Sequence, residues 1–116
     1  MLIMCVDDDN LVRQVTSDMI RHLNHEVLEA ADAKSALDQL DSSTNRIDVL
    51  LTDIRMPGVT GLALARSFRQ RNPDIGIIYM TGYSGGEEAP GHVLNKPCTL
   101  GELQNVLEQA GRYRLN

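Results

Sequence analysis

Hydrophobic and polar positions alternate along this chain in two distinct patterns. Short apolar runs predict five β-strands, and three of these runs are nearly continuous, as in strands that are covered on both faces. Longer stretches, in which apolar residues recur every three or four positions, predict helices that bury one face. The five predicted strands are Leu2–Val6, Glu26–Ala30, Ile47–Thr52, Gly76–Met80 and His92–Asn95.

Helical patterns separate these strands and carry their own start and stop residues. An acid or a hydroxyl residue before such a pattern is typical of a helix N-cap, and Pro or Gly after it is typical of an end. The four patterns begin at Asn10, after Asp32, at Leu62, and after the capping box of Thr99 and Glu102; the third ends at Arg71 and the last near Gly111.

This alternation of strands and helices predicts an α/β fold. Strands in such a chain are parallel and are joined by right-handed crossovers. The second and fifth strands are the weakest and suit the two edges of the sheet, which gives the order 2-1-3-4-5. We therefore expect a doubly wound five-stranded parallel sheet in one domain that spans residues 1–116.

The composition excludes several classes of function. With 116 residues, 42% apolar and 23% charged, the chain fits one folded domain with its own core. Its net charge of −5 argues against nucleic acid as a direct partner. No apolar run is long enough for membrane insertion, and the first residues lack the basic leader of a secretory signal. Cys5 and Cys98 are interpreted as reduced thiols of a cytoplasmic protein.

Four of the five predicted strands end in a polar or charged residue. In a doubly wound sheet, ligands bind outside the carboxyl ends of the strands, so these residues are expected to lie together. They are Asp7 and Asp8 after the first strand, Asp53 after the third, Thr81 after the fourth and Lys96 after the fifth. The neighbouring Asp9 is interpreted instead as the N-cap of the first helix.

Three carboxylates in one place predict a cation. Two like charges 4 Å apart repel by on the order of 4 kcal/mol at an effective dielectric constant of about 20. Mg²⁺ prefers oxygen ligands and keeps several waters, so it would offset this repulsion and leave positions open for phosphate oxygens. The Asp53 carboxylate could then attack a phosphoryl group, with Lys96 neutralising its oxygens and Thr81 donating a hydrogen bond.

Four short motifs carry these residues. They are Val6 to Asp9, Thr52 to Gly58 together with Gly61, Met80 to Gly82, and Lys96 with Pro97. In this order and spacing, they resemble the receiver domain of two-component response regulators over essentially the whole chain. The residue sequences of the second and third motifs are similar to those of receivers attached to hybrid sensor kinases.

The resemblance implies a role for each residue. Asp53 would be the phosphoacceptor, Lys96 would contact the phosphoryl group, and Thr81 would swing towards it. The implied ligands of Mg²⁺ or Mn²⁺ are Asp8, Asp53 and the backbone carbonyl of Arg55 directly, and Asp7 through water.

The resemblance also implies partners and a place in a phosphorelay. The donor would be a phosphohistidine on a histidine kinase or a histidine phosphotransfer protein, and the phosphorylated chain would control an output protein that the sequence does not identify. Only self-phosphorylation and self-dephosphorylation are expected, so the chain is not an enzyme in the usual sense. We hypothesise that Arg55 and Tyr83, two residues after the Asp and the Thr of their motifs, screen Asp53 from hydrolytic water.

The chain departs from the family pattern in three places. Val93 stands where many members have an aromatic residue that switches inward, and Cys98 stands where a Phe commonly follows Lys-Pro. Only 15 residues separate Thr81 from Lys96, and about seven more would be needed for a full helix between the fourth and fifth strands. This helix, the fourth of a receiver, is therefore expected to be short or missing.

Other functions remain open at this stage. The same fold could serve as a pseudo-receiver, a docking module that works without phosphorylation. A flavodoxin-like carrier would need a hydroxyl- and glycine-rich loop after the first strand, where Asp7, Asp8 and Asp9 would repel its phosphate. A haloacid-type phosphatase matches the Asp-x-Asp of these acids, but it usually adds a cap domain and leaves Asp53 unexplained.

Overall fold

The computed structural model describes residues 1–44, 46–82 and 91–111. Its elements are β1 (Leu2–Val6), α1 (Asn10–His22), β2 (Glu26–Ala30), α2 (Ala33–Ser42), β3 (Val49–Asp53), α3 (Gly61–Arg71), β4 (Gly76–Thr81), β5 (His92–Asn95) and α4 (Leu100–Gly111). Within the described ranges, no helix has the length and apolar character needed to cross a membrane.

The five strands form one parallel sheet in the order β2-β1-β3-β4-β5. The predicted fold class and strand order are thus confirmed. The two strands with the weakest apolar patterns lie at the edges, because an edge strand has only one neighbour and tolerates polar residues. Because all five strands are parallel, their carboxyl ends lie along one edge of the sheet.

Two separate hydrophobic clusters cover the two faces of the sheet. Alternate residues of β3 supply both, because successive side chains of a strand point to opposite faces. Leu50 packs with Phe68 of α3 on one face, and Leu51 packs with Leu107 of α4 on the other. All four of these side chains are fully buried, which explains why the central strands read as continuous apolar runs.

Some element boundaries differ from the prediction. β3 begins at Val49 rather than Ile47, since Ile47 is a buried core residue that precedes the strand. Before β3, the Asp48 carboxylate accepts a hydrogen bond of 2.7 Å from the N–H of Leu2. β3 and β4 each extend one residue further than predicted, through Asp53 and Thr81. An apolar pattern cannot show this, because these last strand residues are polar.

The helix caps follow the sequence signals. Asp32 accepts a hydrogen bond from the N–H of Ser35, and Thr99 and Glu102 form the reciprocal pair of a capping box. α4 corresponds to the last helix predicted from the sequence. The described residues contain four helices, which is consistent with a short fourth receiver helix, but residues 83–90, on which that prediction falls, lie outside the described ranges.

Candidate functional site

The predicted site residues meet at the carboxyl edge of the sheet. One oxygen each of Asp7, Asp8 and Asp53 lie within 4.8 Å of one another. The Nζ atom of Lys96 lies 3.1 Å from Asp53 Oδ2 and 3.2 Å from Asp7 Oδ2. The parallel register explains the meeting, because β1, β3 and β5 all end at this edge and each is followed or closed by one of these residues.

Asp7 is fully buried, and each of its polar atoms has a partner. Its N–H donates to the Ala30 carbonyl at 3.2 Å, and its own carbonyl accepts from Arg13 Nη1 at 2.7 Å. Its carboxylate accepts from the N–H of Asp9 at 3.0 Å and from Lys96. A buried carboxylate needs such partners, so Asp7 is a fully hydrogen-bonded side chain at the base of the site.

Lys96 is the cation that faces these acids. Burial alone would lower the pKa of its ammonium, but the hydrogen bond to Asp53 and the negative charge of Asp7 outweigh burial and raise it. The ammonium is therefore charged at neutral pH. Its backbone is held as well, since the Lys96 N–H donates to the Thr81 carbonyl at 2.8 Å. The peptide bond between Lys96 and Pro97 is cis.

Asp53 sits in an environment that disfavours its ionised form. Burial raises the pKa of its carboxyl above the ordinary value, and the negative charges of Asp7 and Asp8 act in the same direction. The hydrogen bond and the charge of Lys96 oppose the shift without cancelling it. The ionised carboxylate therefore lacks part of the positive charge that would stabilise it.

Asp53→Asn is expected to stabilise the metal-free protein at neutral pH. The pKa of this carboxyl is higher in the folded state than in the unfolded chain, so ionised Asp53 disfavours folding, and this effect appears as pH rises from the ordinary carboxyl range through the raised pKa. Urea unfolding in EDTA, at pH 7 and at the lowest pH at which both proteins fold, measures the difference. An equal difference at both pH values would contradict the expectation.

A cavity of about 170 Å³ opens beside Asp53. Its volume exceeds that of several waters, at roughly 30 Å³ each, so a phosphoryl group fits. The lining residues are Asp53, Ile54, Arg55, Met80, Thr81, Gly82 and Lys96. Three of the predicted site residues, Asp53, Thr81 and Lys96, therefore line one cavity.

The backbone at Asp53 and Ile54 packs closely against the start of α3. The Gly61 N–H donates to the Ile54 carbonyl at 2.8 Å, and a Cβ on Gly61 would overlap the carbonyl oxygen of Asp53. Thr52 Oγ1 donates to that same oxygen at 3.0 Å. In the sequence, Gly61 stands out only as part of a motif, and its close approach to Asp53 is visible only in three dimensions.

Asp9 and the two cysteines were also interpreted from the sequence. Asp9 caps α1 through its carboxylate, which accepts from the N–H groups of Leu11 and Val12. Both cysteines are free: Cys5 is buried, and burial raises the pKa of its thiol to about 12, while burial also raises the pKa of the half-buried Cys98. Neither thiol is thus activated as a nucleophile.

Val93, Arg55 and Tyr83 were also singled out from the sequence. Val93, which stands where many receivers have an inward-switching aromatic residue, is 44% exposed on β5. As an aliphatic residue, it places no ring at this position. The Arg55 side chain is exposed, and binding of a metal by its carbonyl stays a prediction. Tyr83, the second proposed screen of Asp53, lies outside the described residues.

Arg13 is a site-related residue that sequence reasoning missed. It lies in α1, six residues after Asp7, and its guanidinium contacts the carbonyl of that acid. The spacing was the available signal, because a residue in the first turns of α1 can reach back to the end of β1. An arginine at this position reads as an ordinary solvated helix residue until the fold is known.

Comparisons with known proteins show the family of the chain. The model of the response regulator receiver domain family matches residues 3–108. The chain is 42% identical over 113 residues to the DNA-binding transcriptional regulator NtrC of Klebsiella pneumoniae, covering 90% of this chain and 24% of that protein. It is 31% identical over 114 residues to the sensor histidine kinase RcsC of Salmonella typhi, covering 92% of this chain and 12% of that protein.

A solved structure of a receiver domain is also similar to this chain. The receiver domain from the hybrid histidine kinase CckA superposes with a TM-score of 0.83 at 31% identity, covering 96% of this chain and 99% of that one. The chain belongs to the response regulator receiver domain family. It is a module of two-component signalling rather than a member of a catalytic enzyme family, and it spans a quarter or less of the length of the two curated relatives named above.

Proposed function

We propose that Asp53 accepts a phosphoryl group from a phosphohistidine on a histidine kinase or a histidine phosphotransfer protein. The observation that carries this proposal is that Asp53 and Lys96 line the same cavity and form an ion pair. The Asp53 side chain is 13% exposed, lines the cavity, and is held by Lys96 Nζ at 3.1 Å. A carboxylate that lines a cavity is suited to act as a nucleophile towards a group that enters the cavity. The neighbouring ammonium can stabilise the negative charge on that group.

The donor set at this edge fits a divalent metal. Asp7, Asp8 and Asp53 offer hard oxygen ligands within 4.8 Å of one another, and Lys96 neutralises only one of their three charges. Mg²⁺ or Mn²⁺ bound there would supply the two missing positive charges and would stabilise negative charge on a phosphoryl group. We propose Asp8, Asp53 and the Arg55 carbonyl as direct ligands and Asp7 as a ligand through water.

The proposed transfer exchanges one bond for another. An oxygen of Asp53 attacks phosphorus, a P–O bond forms as the P–N bond breaks, and the bonding electrons remain on the imidazole of the donor. Lys96 neutralises an oxygen of the transferred group, and the Thr81 hydroxyl donates to another. The product is an aspartyl phosphate on Asp53.

The proposed consequence is a conformational switch. The phosphoryl group adds about 1.5 to 2 negative charges where three acids already meet, which biases any nearby element that has two arrangements. We propose that residues 1–116 act as a single receiver domain in the cytoplasm, in keeping with its two free thiols, and that the switch controls an unidentified output protein.

We expect one phosphoryl group per chain after incubation with acetyl phosphate and Mg²⁺. Intact mass spectrometry measures the gain in mass, which should disappear in EDTA and in Asp53→Asn. Asp9→Asn is a matched control, because it also removes one acid beside the site but affects only the cap of α1. A gain that survives in Asp53→Asn would overturn the assignment of the phosphoacceptor.

Acetyl phosphate is a small donor, so a second probe separates a poor donor from an inactive site. Beryllofluoride mimics the phosphoryl group on a carboxylate and requires no transfer step. If neither probe bound in the presence of Mg²⁺, the phosphoacceptor proposal would fail, and a pseudo-receiver that docks without phosphorylation would replace it.

A further inference from the structure

Arg13 joins the end of β1 to β2 from its position on α1. Its Nη1 donates to the carbonyl of Asp7 at 2.7 Å, its Nε lies 3.4 Å from Glu29 Oε1, and its Nη2 donates to Asn10 Oδ1 at 2.8 Å. The side chain is only 16% exposed. Its three nitrogens therefore contact three different groups, a use of the fixed fork that lysine cannot reproduce.

The contact with Asp7 controls more than one residue. The carbonyl of Asp7 and the N–H of Asp8 belong to the same planar peptide unit. A rotation of this unit would change the backbone direction at both acids. The preceding peptide unit is held too, because the Asp7 N–H donates to the Ala30 carbonyl of β2. Arg13 thus holds the one peptide unit that lies between the two carboxylates.

We propose that Arg13 is a positioning residue for the metal ligands Asp7 and Asp8, and that Glu29 orients it. This inference rests on the proposed function, because it assumes a divalent cation at the acidic cluster. Arg13 acts through the backbone and touches neither the metal nor the phosphoryl group. Removal of its fork would let the peptide unit between the acids turn, so that fewer molecules present both carboxylates in the binding geometry.

A purely electrostatic role predicts the opposite sign. A guanidinium near a cation site repels the cation, so loss of its charge would tighten Mg²⁺ binding. Loss of positioning weakens binding instead. Arg13→Lys keeps the positive charge but loses the forked guanidinium, so it also distinguishes the two roles. An electrostatic role predicts an unchanged Mg²⁺ affinity in this variant, and a positioning role predicts a weaker one.

The test is the Mg²⁺ affinity of the whole chain, measured by isothermal titration calorimetry without any phosphodonor. Arg13→Gln and Arg13→Lys are each expected to bind Mg²⁺ about tenfold more weakly, as is usual when a residue that orients metal ligands is lost. Arg21→Gln is the matched control, because Arg21 lies on the same helix and pairs with the same Glu29 at 3.3 Å. Its other ion-pair partner is Asp18, and it should bind as the wild type does.

Circular dichroism establishes that each variant is folded, and the conservative Arg13→Lys protects the test if Arg13→Gln does not fold. Wild-type affinity in Arg13→Lys, or tighter binding in Arg13→Gln, would overturn the inference and leave the proposed function intact. A wild-type chain that binds no Mg²⁺ would remove the metal from the proposed function, and the inference would fall with it.

Discussion

Lys96→Met is expected to lower the free energy of unfolding by about 3 kcal/mol in EDTA, the lower end of the range for a broken buried ion pair. The reason is the environment of the two carboxylates that Lys96 joins. Asp7 is fully buried and Asp53 is 13% exposed on its side chain, so neither can replace the ammonium with bulk water. Methionine has a similar length but supplies neither charge nor hydrogen bond.

Mg²⁺ should recover much of this loss, because it brings positive charge to the same carboxylates. A ligand at a hundred times its dissociation constant stabilises a folded protein by about 2.7 kcal/mol. Without the repelling ammonium, the variant should bind Mg²⁺ more tightly than the wild type and gain more than the wild type from saturation. Urea unfolding in EDTA and in excess Mg²⁺ measures both differences.

The chain offers a matched control for this experiment, since Lys34 is its other lysine and is exposed. Lys34→Met should change the unfolding free energy by less than about 0.5 kcal/mol, with or without metal. Phosphoryl transfer from acetyl phosphate to Asp53 should slow by about a hundredfold in Lys96→Met but not in Lys34→Met. This is the usual effect of losing one hydrogen-bond donor to a developing negative charge. A stability deficit of Lys96→Met that is the same in EDTA and in Mg²⁺ would show that Lys96 and the metal do not share the carboxylates.

The meeting of Asp7, Asp53 and Lys96 could be predicted from the sequence for a topological reason. Each residue stands just after, or at the end of, a strand of a parallel sheet, and the carboxyl ends of parallel strands share one edge. This argument needs only the strand order, which the strength of each apolar run indicates. No side-chain geometry is required, so the composition of the site could be predicted before its distances.

The different environments of Asp7 and Asp8 could not be predicted in the same way. The N-cap role of Asp9 follows from its place before the first helix and is confirmed. Asp7 is fully buried and Asp8 is exposed, and the order of these two identical side chains does not specify which one turns inward. The distinction comes from long-range partners, since Asp7 is held by Lys96, 89 positions away, and by the Ala30 carbonyl of β2.

Positioning residues escape sequence reasoning for a related reason. Arg13 and Gly61 carry no chemistry of their own, so a search for reactive or metal-binding side chains passes over them. Each is adjacent to the backbone of an acid: Arg13 donates to the carbonyl of Asp7, and Gly61 leaves the space that the carbonyl of Asp53 occupies. Such roles depend on where α1 and α3 begin relative to the sheet, which short periodic patterns specify only to within a residue or two.

Gly61→Ala is expected to destabilise the protein by about 1 to 3 kcal/mol, the usual range for atoms forced into a packed region. The added Cβ would overlap the backbone oxygen of Asp53 and lie within 2.9 Å of its carbonyl carbon. Backbone atoms cannot rotate away as a flexible side chain can, so either α3 or the end of β3 must move. We expect the end of β3 to take part of this shift and to move Asp53 with it, so phosphorylation of Asp53 should fall together with stability.

Gly101→Ala tests the same substitution where the space is open. Gly101 lies in the first turn of α4, and nothing lies within 4 Å of a Cβ built there. Alanine favours a helix over glycine by about 0.5 to 1 kcal/mol, so this variant should be more stable than the wild type and should accept phosphate normally. Urea unfolding and intact mass measure both variants. Gly61→Ala with wild-type stability and uptake would mean that the end of β3 can yield without moving Asp53, and that the close approach of α3 does not position the phosphoacceptor.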